Sequence, residues 1–249
     1  MPNMEGVMSF DQPTPATEPT PKDMNIIARI WNVFVSPTST FEAVRSKPRW
    51  VLPLIIILLI TGAAMYVLTP IVMEEGREKM IEQMEKRGVP EDQMDTAVER
   101  AAQFQKYSIA PSTIIAGAIF TFLLAAFWLF VTNVLAGGSA RYAQVLGAYV
   151  YAGFIGLLGF LIKLPVMWFR QTMNIHISPA TLMSESATET FLYKLLAKFD
   201  LFSIWGMIVL GIGLAVVGGL KPKKVLPWVV ILYVLFWVAS ASLSNLSFF

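Results

Sequence analysis

The sequence predicts an all-α polytopic membrane protein: five transmembrane helices, amphipathic interfacial helices near the amino terminus, and a helical hairpin outside the membrane. Three observations carry this. Of the 249 residues, 55% are hydrophobic and only 14% charged, with a mean hydropathy of +0.60, a balance foreign to water-soluble domains of this size. Residues 51–73, 107–140, 201–220 and 225–249 are free of charge, and 142–168 carries only Lys163; about 20 apolar residues cross the roughly 30 Å of hydrocarbon. The runs lack the alternation of barrel strands, and helices satisfy their own backbone polar groups in lipid.

Composition also excludes function classes. The net charge is +2, with basic residues dispersed instead of gathered beside aromatics, so no nucleic-acid surface is expected. Cysteine is absent and histidine occurs once, which removes thiol chemistry and leaves too few ligands for a zinc site; no cofactor is expected. The first residues are polar and Pro/Thr-rich where a signal peptide has its apolar core, so the first span is expected to act as its own insertion signal.

The chain divides into a tail at 1–23, interfacial helices at 24–50, and a five-span domain at 51–249. The tail carries Pro2, Pro13, Pro15, Pro19 and Pro21 among Thr, Glu and Gln, a disordered composition. From Met24, Ile27, Ile30, Trp31 and Phe34 recur at helical spacing with Asn25, Arg29 and Asn32 off that stripe. That pattern suits a helix lying in the interface with Arg29 toward anionic headgroups. A second short helix starts at Ser36 or Ser39, with Pro37 in its first turn. It stops near Pro48, and Trp50 anchors the entry to the first span at the headgroup level.

Spans are expected at about 51–73, 111–136, 142–168, 201–220 and 225–243. Residues 74–106 are charged but helical in pattern, split by Gly88-Val89-Pro90. The spacing predicts a hairpin in which Met80, Met84, Ala97, Val98, Ala101 and Phe104 meet across the turn, with Met94 beside them. These side chains either fill the seam or form an adaptable surface for a protein partner. Pro111 opens the second span, and Gly137-Gly138 closes it. Ser186-Ala187-Thr188-Glu189 reads as a capping box, and Leu192, Leu195, Leu196 and Phe199 as an interfacial stripe.

Few residues qualify as sites. Lys163 is the one charge inside a span. It lies 21 residues past Tyr142, about 32 Å along a helix, which allows snorkelling to the far interface, a pair with Asp200, or, with Arg170, a transport role. Asn133 is a candidate for an interhelical hydrogen bond. Arg141 stands in a tight turn. Glycines in the third and fourth spans read as close-packing positions, and Gly211-Ile212-Gly213 lies within a span and so cannot be a dinucleotide-binding turn. His176 lacks companions for metal or acid-base work, and Asn245-Leu246-Ser247 is a sequon that matters only in a eukaryotic host.

Lys and Arg in short loops set orientation. The turns at 137–141 and 221–224 hold Arg141, Lys221, Lys223 and Lys224 with no acid, and the amino-terminal segment adds Arg29, Arg45, Lys47 and Arg49, whereas 74–106 has nine acids against six bases. The amino terminus is therefore expected in the cytoplasm, and the hairpin and carboxyl terminus outside.

Four stretches carry a resemblance: Ser36-Pro37-Thr38 through Phe41 to Pro48-Arg49-Trp50-Val51-Leu52-Pro53; Gly137-Gly138-Ser139-Ala140-Arg141-Tyr142 with Gln144 to Gly147; Phe199-Asp200-Leu201-Phe202-Ser203-Ile204-Trp205; and Gly211-Ile212-Gly213-Leu214. In these the chain resembles the bacterial branch of the Yip (Ypt-interacting protein) domain family. The resemblance implies a five-span fold with a cytoplasmic amino terminus, in a bacterial inner membrane. Eukaryotic relatives bind Rab-type GTPases in membrane traffic, and some bacterial ones look like accessory subunits of ABC-type exporters. The short tail and the large outer hairpin depart from the eukaryotic pattern.

The expected function is a non-enzymatic membrane scaffold or accessory subunit that contacts lipid and presents the hairpin to a protein partner. The alternatives are a small transporter or channel using Lys163, Arg170 and Asp200, and, in a eukaryotic host, a factor linked to Rab-type GTPases. No HExxH, Gly-x-Ser-x-Gly or paired intramembrane aspartates occur, so no enzyme is expected. The charge asymmetry yields a test: single cysteines at Gln83 and Ser184 will react with an impermeant reagent from outside, and one at Ser139 will not. Labelling of Ser139 with protection of Gln83 would invert the topology.

Overall fold

The structure, a computed structural model, describes residues 24–175, 177–183 and 190–246. The tail at 1–23, His176, the capping box at 186–189 and the end of the sequon lie outside the described residues. Eight α-helices are described, with no strand among these residues: α1 (Ile26–Val35), α2 (Pro37–Ser46), α3 (Val51–Lys86), α4 (Glu91–Phe130), α5 (Tyr142–Arg170), α6 (Phe191–Leu196), α7 (Leu201–Gly218) and α8 (Pro222–Leu246). Five of them, α3, α4, α5, α7 and α8, are long and apolar enough to span a membrane.

Local chemistry sets the boundaries. Asn25 caps α1 by accepting the Ala28 N–H at 2.7 Å. Pro37 takes the first position of α2, where its missing N–H costs nothing. The Asp200 carboxylate accepts the Phe202 and Ser203 N–H groups at 3.0 and 3.1 Å and so starts α7. Thr190 caps α6, accepting from Tyr193 N–H at 3.3 Å. Gly88 and Gly219 end α3 and α7 at positive φ.

The expected hairpin at 74–106 is not a separate element. Its arms are the uninterrupted ends of α3 and α4, 36 and 40 residues long, or about 54 and 60 Å. Residues 74–86 are rich in strong helix formers, and extending an existing helix is far easier than nucleating a new one. Pro111 lies inside α4, where it was expected to open a span, and Pro70 lies inside α3. At its other end α4 widens into one π turn, Val131–Leu135, before the chain reverses.

Helices α5 and α7 form the buried centre, contributing Tyr151, Ile155, Leu210 and Leu214 to the core. Close approach is made by small residues. A Cβ on Gly213 would lie 2.9 Å from the Phe41 ring, and one on Gly138 would lie 2.9 Å from the Thr132 carbonyl oxygen. The first contact lets α2 lie on α7, and the second lets the α4–α5 turn rest against the end of α7, where Ser139 N–H donates to Gly218 O at 3.1 Å.

Arg29 was expected to face headgroups. Instead it is 1% exposed. Its Nε donates to Met24 O at 3.0 Å and its Nη1 to Lys47 O at 2.7 Å, and the guanidinium also lies against the Tyr151 side chain. Thr40 Oγ1 donates back to Arg29 O at 3.2 Å. A buried guanidinium must place its donors, and the carbonyls of Met24, ahead of α1, and Lys47, just after α2, supply the acceptors. Arg29→Ala is expected to destabilise the protein by about 2–4 kcal/mol by leaving those carbonyls unpaired, read as a lowered thermal midpoint in detergent. An unchanged midpoint would show that the elbow does not depend on this side chain.

Candidate functional site

Two polar clusters lie at opposite ends of the bundle. At the basic end, the π turn of α4 projects Asn133 onto the chain reversal. Its Nδ2 donates to Ala140 O at 2.9 Å and its Oδ1 accepts from Ala140 N–H at 2.8 Å. Asn133 was expected to bond a neighbouring helix; it clamps its own turn because the extra residue of the π turn aims it at the backbone seven positions on. Arg141 then leads into α5, its N–H donating to Gln144 Oε1 at 2.8 Å. Gln144 Nε2 donates in turn to Arg45 O at 2.7 Å. Between α2 and this turn lies an open cavity of about 700 Å³, lined by Glu42, Arg45, Ser139, Arg141 and Gln144 among others.

The interfacial anchors divide between two faces of α1. Ile27 and Trp31 point outward, 79% and 68% exposed, joined by Val35. Ile30 and Phe34 turn inward against the core, Phe34 meeting the Trp205 ring edge-on at 5.8 Å. The outward row therefore runs Ile27, Trp31, Val35, a spacing of four, and not through all four expected residues. The inward face follows Arg29 and Val33 into the body. Trp50 packs edge-on against Phe122 at 5.8 Å.

At the hairpin end, Lys163 is half-buried and Arg170 exposed in the last turn of α5. Asp200 is buried and commits its carboxylate to the start of α7, also accepting the Ser203 hydroxyl. Among the described residues, no ion pair or hydrogen bond joins Lys163, Arg170 and Asp200. The structure does not assemble them into one site.

The hairpin seam holds Val98, which is buried, with Met80, Met84 and Met94 half-buried. Phe104 departs from the expected seam: it is 74% exposed beside Tyr107 at 76%, since α4 turns that face away from α3. Outside the seam, Lys86 and Glu82 pair at 2.9 Å on the surface. Sequence reasoning missed Glu75, whose Oε1 accepts from Thr172 Oγ1 at 2.9 Å and from Met173 N–H at 2.8 Å. This carboxylate ties the base of the hairpin to the loop after α5. A contact across 97 positions leaves no local pattern; the only signal was an acid just past the end of an apolar run.

The Yip1 domain matches residues 31–243, from α1 through most of α8. The chain belongs to the Yip1 domain family. This Yip1-domain protein is similar to a membrane protein, YknW, of Bacillus subtilis (strain 168), at 27% identity over 197 residues, covering 78% of this chain and 80% of the relative. No solved structure matches it. It is an integral membrane protein, and the matched region includes the hairpin.

The Asn133 clamp gives a test. Asn133→Ala removes both bonds to the nearly buried Ala140 backbone and is expected to cost about 1–2 kcal/mol, with Asn133→Asp retaining only the bond from Ala140 N–H and losing part of that amount. A detergent melt that moves equally for both variants would show that the side chain's volume matters and its hydrogen bonds do not.

Proposed function

We propose that this Yip1-domain protein is a non-enzymatic scaffold or accessory subunit of a bacterial cytoplasmic membrane, serving an ABC-type exporter or a membrane-organising complex by offering its hairpin to a protein partner. The observation that carries the reading is the continuity of α3 and α4. From the end of the expected first span to the end of α3 is 13 residues, about 20 Å of helix standing clear of the spans. That projection carries mixed charge on its outer faces and is held at its base by Glu75. Nothing in span packing calls for it, whereas a docking partner does.

Orientation follows from charge. Arg45, Arg141, Lys221, Lys223 and Lys224 gather at one end of the bundle, which supports a cytoplasmic setting for that end and an outer one for the acidic hairpin. The same end presents Ile27, Trp31 and Val35 outward, a row suited to the headgroup boundary. A bacterial relative described as a membrane protein supports the setting.

The test replaces residues 77–103 with a short flexible linker, keeping Glu75 and its two bonds. The shortened protein is expected to insert and to keep its thermal midpoint within a few degrees, while partners that copurify with the full chain in mild detergent are lost. Full retention of those partners would overturn docking through the hairpin. Loss of the folded body would make the hairpin structural instead.

A further inference from the structure

An open crevice of about 320 Å³ lies between the helices, lined by residues of α3, α4, α5, α7 and α8 that include Ile57, Tyr149, Gly153, Gly156, Ser203 and Tyr233, with Gly153 and Gly156 exposed in it. We propose that it is a binding site for one acyl chain of a phospholipid, whose ester carbonyl accepts a hydrogen bond from Tyr149. This goes beyond the scaffold reading and does not rest on it.

Its floor is made by glycines that close packing does not explain. A Cβ on Gly159, Gly211 or Gly213 would come within 3.0 Å of a neighbouring side chain, so those glycines admit Phe202, Leu226 and Phe41. On Gly156 a Cβ would meet nothing within 4 Å, and on Gly153 its nearest neighbour is Ile57 Cδ1 at 3.5 Å. These two glycines keep a volume open inside the hydrocarbon layer.

The cavity also presents two hydroxyls that make no hydrogen bond. Among the described residues neither Tyr149 nor Tyr233 donates or accepts a hydrogen bond, and no buried side-chain polar atom is left unpaired. Both hydroxyls are therefore open to the space they line. An open hydroxyl at membrane depth is costly unless something in that space accepts it. The required occupant is apolar along its length with an acceptor at the level of Tyr149.

Size and depth select the occupant. A helix about 10 Å across fills roughly 800 Å³ for each 10 Å of its length, so a partner's span does not fit. Part of a single alkyl chain does, the remainder running out along the crevice's open side. Helix α5 is 29 residues long, about 43 Å, and overhangs a 30 Å hydrocarbon layer by roughly 6 Å at each end. Tyr149, seven residues in from Tyr142, sits about 10 Å along α5 and so about 4 Å below the boundary at the basic end, within reach of an ester carbonyl. Gly153 and Gly156 continue toward the hairpin end, giving the chain its path toward Ser203.

The experiment uses the full protein in bilayer nanodiscs containing phosphatidylglycerol with a photoactivatable diazirine in one acyl chain, with labelled peptides mapped after irradiation. Label is expected on the α5 segment around Tyr149–Gly156 as well as on outward Phe120 and Phe236, which are 61% and 68% exposed and report ordinary surrounding lipid. Gly156→Leu, which enters open space, and the double variant Gly153→Leu/Gly156→Leu are expected to lose the α5 label and keep the other two. Tyr149→Phe preserves the volume and is expected to weaken only the α5 label. No α5 label in the natural sequence, or one that persists after Gly156→Leu, would overturn the proposal. If the double variant does not purify, Gly156→Leu alone decides between the same outcomes.

Discussion

The buried guanidinium of Arg29 is the fixed point of the basic end. It bonds the carbonyl of Lys47, which caps α2, and that of Met24, which precedes α1. A cation at the carboxyl end of a helix is favourable, because the last carbonyls carry the negative end of the dipole. With the α1–α2 elbow closed in this way, Phe41 seats over Gly213, the Arg45 carbonyl meets Gln144, and the Arg49 carbonyl accepts the Tyr151 hydroxyl at 3.1 Å. Each of these contacts depends on where α2 lies, which Arg29 helps to fix together with the buried Phe41 and Val44. The outward row of α1 is then a by-product of which face Arg29 must bury.

Within the spans the logic is different. The threonine hydroxyls bond carbonyls of their own helix one turn back: Thr69 to Met65, Thr121 to Gly117, Thr132 to Trp128. These three satisfy themselves locally, whereas the Tyr142 hydroxyl of α5 donates to the Phe122 carbonyl of α4 at 2.9 Å. Association rests largely on shape, with glycines meeting large side chains and rings such as Trp128 and Tyr233 stacking at 5.8 Å. That is the expected regime where lipid offers no hydrophobic gain for helix contact.

The five spans were legible in the sequence because each is a long run of one chemical character. So were the proline at the first position of α2 and the turn at Lys221, which local rules dictate. The continuity of α3 and α4 was not legible: a shift from apolar to charged residues marks where the surroundings change, not where a helix ends. Arg29 was misplaced because amphipathic reasoning takes a charge as outward, although Arg29 and Val33, four apart, share the buried face. Asn133 was read for its chemistry without knowledge of the π turn that aims it. Glu75 and the glycine-floored cavity are products of tertiary assembly alone, and only residues brought together from different helices define them.

Continuity of α3 and α4 has a mechanical consequence. Each helix is a lever with its fulcrum near mid-membrane, and its hairpin arm is about twice as long as the arm toward the basic end in α3 and longer still in α4. A sideways load on the tip near Gly88 is delivered to the far end of the spans reversed in direction and reduced to about half its travel or less. The stiffness of the levers is lowered at Pro70 and Pro111, which withdraw a hydrogen bond from the Tyr66 and Tyr107 carbonyls. Those compliant points decide how a load divides between bending of the arm outside the membrane and tilt of the spans within it.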